Sequence, residues 1–249
     1  MKLAKLVLCT GLISGAWQVQ ADSILGVYAG IETWRSEAEG GFANEPNLQH
    51  FQFSASRQHN YYVALEHAIP VLPNIRVQQQ KLQTLGKTEL ERDMLFAGTD
   101  FSSGTAVLAR LDWRFTDYVL YYEVLDNALI SVDLGIAAKH LQGEVQLTAE
   151  SLVSQQRIKQ WLPMLYLNGK VDLVATGYDL FFIAQGAPWR GDHFYDFQAG
   201  VGYQVFDNLL IDLRLSLGYK RVEFALQDVD DLFAETTFSG FFVGVDLHF

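Results

Sequence analysis

The chain has 249 residues, is 49% hydrophobic, and carries 18 Lys and Arg against 29 Asp and Glu, a formal charge of −11. This acidic balance excludes nucleic acid as a partner, which needs a basic footprint, and 17 Phe, 11 Tyr and 5 Trp exclude a disordered chain. Repeated apolar runs of about 18 residues are missing, which excludes a bundle of membrane helices.

Chain order begins with a targeting signal. Lys2 and Lys5 precede the apolar stretch Leu6 to Ala16, and Val19 and Ala21 supply the small or modest residues of a cleavage site. Residues 1–21 are therefore expected to be a cleaved signal peptide and residues 22–249 the mature domain. The only cysteine, Cys9, lies within the signal. Loss of Lys2 and Lys5 leaves 16 basic residues against 29 acidic, a charge of −13. An exported chain without disulfides needs another source of stability, and a closed sheet is one.

Beyond the signal the hydrophobic period is two. Val132, Leu134, Ile136 and Ala138 alternate with Asp133, Gly135, Ala137 and Lys139. Tyr195, Phe197, Ala199, Val201 and Tyr203 alternate with Asp196, Gln198, Gly200 and Gly202, and Ile211, Leu213, Leu215, Leu217 and Tyr219 alternate with Asp212, Arg214, Ser216 and Gly218. These runs reach the roughly 9–11 residues that cross a bilayer at a tilt, against about five or six for an average soluble strand. Strands are predicted at about 24–34, 59–67, 74–83, 107–125, 128–147, 157–173, 177–185, 193–205, 209–226 and 236–249. Short connections (69–74, 126–127, 175–177, 206–208) alternate with longer polar stretches (35–58, 84–106, 148–156, 186–192, 227–235). The pattern is that of an all-β, transmembrane, antiparallel up-and-down β-barrel in the bacterial outer membrane, with ten strands. One segment leaves eight or twelve open. In 107–125 the apolar residues occupy odd positions up to Phe115 and even ones from Tyr118, which predicts a bulge, or a turn, near Thr116-Asp117.

The final strand carries Phe241, Val243, Val245, Leu247 and the terminal Phe249 on one face. A dyad strand ending in Phe resembles the signal read by the outer-membrane assembly machinery, which is expected as a partner together with outer-membrane lipid and lipopolysaccharide. Polar residues inside apolar strands are expected to face a narrow lumen: Asp133, Lys139, Asp212, Arg214, Lys220, Asp246 and His248. Trp34, Trp113, Tyr118, Trp161, Tyr166, Tyr219 and Phe249 are expected in the interfacial girdles.

Several segments together resemble a Gram-negative outer-membrane β-barrel family named for a Gly-Gly motif. They are Thr116 to Asn127 followed by Val132-Asp133-Leu134-Gly135, Leu65-Glu66-His67 with Leu72-Pro73-Asn74-Ile75-Arg76, Asp228-Val229-Asp230-Asp231, and Leu247-His248-Phe249. Gly40-Gly41 fits the Gly-Gly element. The resemblance spans nearly all the mature chain and implies location and fold. It carries no established activity or ligand, so no functional residue follows from it.

Candidate chemistry is sparse. Asp192, His193 and Asp196 lie near the predicted extracellular rim, where omptin-type proteases place acidic residues and a His, and are the best acid–base candidates. Asp228, Asp230, Asp231 and Glu235 offer oxygen ligands at near-alternate spacing, but lack the Gly and terminal Glu of an EF-hand loop. Phosphate-binding Gly loops, zinc spacings and nucleotide fingerprints do not occur, so no cofactor is expected. The resulting expectation is a structural, adhesive or ligand-binding barrel with a side-chain-filled lumen and an unidentified extracellular ligand. The alternatives are a narrow channel for small solutes and a hydrolase at the extracellular rim.

Overall fold

In the computed structural model, residues 25–249 are described apart from Ser151, Arg190, Gly191, Leu209 and Leu210; the expected signal segment 1–21, with Cys9, lies outside the described residues. Ten long strands form the wall: β1 (Leu25–Ala43), β2 (Ser56–His67), β3 (Asn74–Glu89), β4 (Ala106–Asp126), β5 (Ile130–Ala149), β6 (Leu152–Leu173), β7 (Tyr178–Trp189), β8 (Asp192–Phe206), β9 (Asp212–Val229) and β10 (Leu232–His248). Each pairs antiparallel with the next, and β10 returns to β1, with Tyr28 opposite His248 and Ala43 opposite Phe233. The terminal residue completes the seam: Phe249 N–H donates to Val27 O at 2.9 Å and Val27 N–H to Phe249 O at 3.2 Å. Closure leaves no unpaired edge, the condition for a sheet in hydrocarbon.

The wall has two storeys of opposite polarity. In β5 the outward residues Leu134, Ile136 and Ala138 give way to His140, Gln142, Glu144 and Gln146, while the inward ones change from Asp133 and Lys139 to Leu141, Val145 and Leu147. In β9 the outward series runs Leu213, Leu215, Leu217, Tyr219, then Arg221 and Glu223; the inward series runs Asp212, Arg214, Ser216, Lys220, then Val222, Phe224 and Leu226. β1, β4, β6 and β10 change in the same way. The lower storey, which holds Leu25 and Phe249, is apolar outside and polar inside, as a bilayer demands. The upper storey is polar outside and apolar inside, as water demands.

This inversion explains the phase change in β4. Its burial alternates without a break from Val107 to Tyr122, and Asp117 faces Lys139 and Tyr118 faces Ala138 in continuous register. The expected bulge or turn near Thr116-Asp117 is absent: the inward face stays on odd residues and only its chemistry changes. A register shift does occur, between Glu123 and Leu125. The strand count is therefore ten.

The strands also run further upward than expected, because their upper halves are amphipathic in the reverse sense. Of the predicted long extracellular stretches, 44–55 and 90–105 remain extended connections, while 230–231 is a two-residue turn. Gly40 (φ 134°) and Gly41 serve a close approach, since a Cβ at Gly40 would lie 1.9 Å from Glu235 O and one at Gly41 2.3 Å from Gln49 O. Of the expected girdle residues, Tyr118, Trp161, Tyr219 and Phe249 are exposed, and Trp161 stacks on His140 at 4.4 Å. Trp34, Trp113 and Tyr166 are instead buried inside the barrel.

The inversion has a direct energetic consequence. Leu134→Arg, in the apolar belt, is expected to cost about 2–4 kcal/mol, and Gln146→Arg, further up the same outer face, less than about 0.5 kcal/mol. Equilibrium unfolding in lipid vesicles measures both.

Candidate functional site

The interior of the lower storey is the candidate site, because charged side chains converge there. Two ion pairs lie at its upper limit. Lys139 Nζ is 2.7 Å from Asp117 Oδ2, both groups almost wholly buried, and Lys220 Nζ is 3.3 Å from Asp196 Oδ1 and 3.1 Å from Gln198 Oε1. The next inward residue above each of these four positions is apolar: Leu141, Phe115, Val222 and Phe194. Lys139 Nζ lies 4.6 Å from the Phe194 ring centroid and 5.4 Å from that of Phe115, a cation–π arrangement. Phe194 stacks on Phe224 at 5.6 Å, and Phe224 meets Trp113 edge-on at 5.1 Å. These rings and the apolar residues above them form a plug.

Below the plug the network continues. Gln198 Nε2 and Asn60 Nδ2 donate to the two Glu32 carboxylate oxygens at 2.7 and 3.0 Å. Arg214 holds Asp179 with two bonds, of 2.7 and 2.6 Å, and reaches Asp246 at 2.8 Å; Tyr62 O–H donates to the other Asp246 oxygen at 2.7 Å. A bidentate Arg–carboxylate pair of this kind fixes geometry as well as charge. Arg76 lies over the Tyr62 ring at 3.6 Å. Nearest the turns at the lower end the carboxylates accept from neutral donors, Glu66 from Tyr121, Glu123 from Asn74 and Asp133 from Asn168. His248 Nδ1 is 3.0 Å from Asp212 Oδ2, with its ring stacked on Tyr28. A cavity of about 310 Å³ occupies this region, lined by residues from Glu32 and Gln198 down to Asp126, Ser131 and Lys170 beside the lower turns.

All seven residues expected in the lumen face it. Their main partners are not evident from periodicity. Asp117 reads as a turn residue because the change of phase resembles a bulge. Asp179 lies in the predicted strand 177–185, where it shares odd parity with the inward Phe181, but it is not among the expected lumen residues. Asp196 pairs with Lys220 rather than with a histidine.

The catalytic candidates do not assemble. His193 and Asp196 differ by three positions, so period two sends them to opposite faces. His193 stacks on Tyr195 outside, with Nε2 3.6 Å from Glu223 Oε1, while Asp196 points inward. Asp192 opens β8 opposite Trp189, but its side chain lies outside the described residues. The acidic loop has a backbone role. Asp230 (φ 52°) and Asp231 (φ 61°) form the two-residue turn between β9 and β10, and Asp228 (φ 62°) lies in the register shift before it. Two consecutive left-handed residues are what a tight hairpin needs, and Asp tolerates that conformation. Asp230 Oδ2 accepts from Lys159 N–H at 3.1 Å, and among the described residues no cluster of three His, Cys, Asp or Glu could hold a metal.

No protein-family model and no curated protein matches the chain. Among solved structures, the outer membrane protease OmpT of Escherichia coli superimposes with a TM-score of 0.55 over 90% of this chain and 96% of its own, at 9% identity. The fold is that of a bacterial outer-membrane β-barrel. The outer membrane is accordingly the bilayer that the apolar belt fits. At this identity the likeness extends to fold alone and transfers no residue. The transport unit of the autotransporter AIDA-I from Escherichia coli aligns at TM-score 0.40 and 7% identity, covering 93% of this chain and 91% of that one. The Yersinia pestis attachment invasion locus protein Ail aligns at TM-score 0.36 and 10% identity, covering 90% and 99%.

The buried pair beneath the plug gives a stability prediction. Lys139→Met strands Asp117 without a partner and should cost about 3–5 kcal/mol, whereas Lys139→Met with Asp117→Leu should recover most of that loss. A double-mutant cycle by denaturant unfolding measures the coupling.

Proposed function

We propose that the protein is a non-conducting outer-membrane barrel that serves as a rigid platform, with a structural, adhesive or ligand-binding role carried by its extracellular storey. The observation behind this reading is the plug: Trp113, Phe115, Phe224 and Phe238 are 0% exposed in the middle of the barrel, where a channel would need a water-filled path. The top is covered as well. Phe42 stacks on Phe51 at 4.5 Å and meets Phe96 at 5.3 Å, while Ser154 Oγ donates to Phe96 O at 2.7 Å. Phe96 belongs to a small hairpin, Met94–Phe96 with Thr99–Phe101, in the second of the two longer loops. In the lumen below, Lys139, Lys220 and Arg214 are held in ion pairs, which suits a scaffold better than a proton or ion path.

The resemblance to the Gly-Gly motif family, which brings a location and no activity, agrees with a platform. In this reading, the partners are outer-membrane lipid and lipopolysaccharide along the wall and the assembly machinery at the Phe241–Phe249 strand. Planar-bilayer recording tests the closed lumen. Purified protein should give no unitary conductance steps at neutral pH, and reproducible steps would favour the narrow channel instead.

A further inference from the structure

The outer wall carries an unbalanced basic patch immediately above the apolar belt. Strand register places Arg35 opposite Arg57, His59 opposite Lys81, and Lys81 opposite Arg114, so cations from β1, β2, β3 and β4 lie side by side. Odd-numbered in β1–β3 and even-numbered in β4, all of them point outward. Like charges directly opposite each other across strands are destabilising unless something neutralises them. The protein supplies little. Lys81 reaches Asp112 at 3.5 Å, while among the described residues Arg35, Arg57 and Arg114 have no ion pair. Two cations elsewhere on the outer wall are matched, Arg157 by Glu144 at 3.0 Å and Arg221 by Glu223 at 2.6 Å. Three guanidinium groups and an ammonium are thus gathered side by side on the wall of an acidic protein.

The patch surrounds a groove of about 340 Å³, lined by Arg57, His59, Lys81 and Arg114 with Gln79 and Gln83, and reaching Tyr61. Tyr61 is half exposed, and below it Val63, Leu65, Val77 and Ile75 continue the apolar belt. An occupant that satisfies both parts must be anionic where it meets the guanidinium groups and apolar where it descends past Tyr61. We propose that this groove binds the phosphate groups of a phosphorylated outer-leaflet glycolipid, whose acyl chains follow the apolar strip below. Two guanidinium groups and an ammonium around one groove suit a phosphate, since Arg binds such oxygens through paired N–H donors and Lys as a point charge. The proposal rests on the belt lying in the outer membrane and is independent of whether the lumen conducts.

Native mass spectrometry of the full chain in detergent micelles doped with diphosphoryl lipid A tests this. Wild-type protein should retain one lipid A per barrel. The triple variant Arg57→Gln, Lys81→Gln, Arg114→Gln should bind at least about tenfold more weakly, the equivalent of one strong contact. Arg57→Gln alone relieves a like-charge pair, so it should fold normally, as judged by heat-dependent gel mobility, and still weaken binding. The matched cations serve as controls: Arg157→Gln with Arg221→Gln should leave binding within about twofold of wild type, a difference of less than about half a kcal/mol. Dephosphorylated lipid A should bind as weakly as the triple variant, and inorganic phosphate should not displace the lipid. Undiminished binding by Arg57→Gln and the triple variant, equal binding of the dephosphorylated lipid, or displacement by inorganic phosphate would overturn the proposal. Failure of the belt placement would read out differently, as a protein that does not insert into lipid vesicles at all.

Discussion

The constraint on which the structure depends is the upper face of the hydrocarbon layer. A strand that crosses it must exchange the chemistry of its two faces without exchanging the faces themselves. Below the level an outward Arg or Lys would cost about 2–4 kcal/mol at mid-membrane, so the wall presents Leu134, Ile136, Leu215 and Leu217 to lipid. Above it, outward apolar residues gain nothing, and the hydrophobic effect turns Leu141, Val145, Val222 and Phe224 into the barrel. The ladder of backbone hydrogen bonds runs through this level unbroken in β4–β5, so the barrel is one sheet with two solvation regimes.

The lumen follows from the same constraint. Because lipid takes the apolar residues of the lower storey, its interior receives the polar ones, in a space too narrow for free hydration. Lys139, Lys220 and Arg214 are held there in ion pairs, and the most deeply buried pairs, Lys139–Asp117 and Lys220–Asp196, occur where the lumen meets the plug. Burying an ion pair is costly unless further hydrogen bonds complete it, and Gln198 extends the second pair to Glu32. Ordinary core packing closes the upper storey. The polar cavity of about 310 Å³ thus reaches the turns below and ends at the plug above.

The number of strands and the parity of their faces are legible in the sequence, because period two sustained over about ten residues fits a membrane-crossing strand and little else. Strand length is not. A search for strands whose apolar face is constant stops where the apolar residues change side, so it ends β1 near residue 34 rather than at Ala43, and β3 near 83 rather than at Glu89. The same assumption turns a continuous β4 into one with a bulge and hides Asp117 from the lumen. Trp34 reads as interfacial because it ends the shortened β1, and Trp113 because it lies in the first part of the predicted strand 107–125, although both are mid-strand residues of an inverted storey. The seven lumen residues are legible because a charge on the inward face of a belt strand has one place to go. Their partners depend on register between strands, which one strand's periodicity does not carry.

The two-storey wall is tested most directly by single-cysteine labelling along the outer face of β5. Cys9 is the chain's only cysteine and lies outside the described barrel. Cysteine would replace in turn Leu134, Ile136, Ala138, His140, Gln142, Glu144 and Gln146, and protein in native outer membranes would react with a membrane-impermeant maleimide. Protection at 134, 136 and 138 followed by labelling at 142, 144 and 146 is the predicted result, with the transition at His140. Protection along the whole series, or uniform labelling, would contradict a hydrocarbon boundary at this level and with it the two-storey barrel.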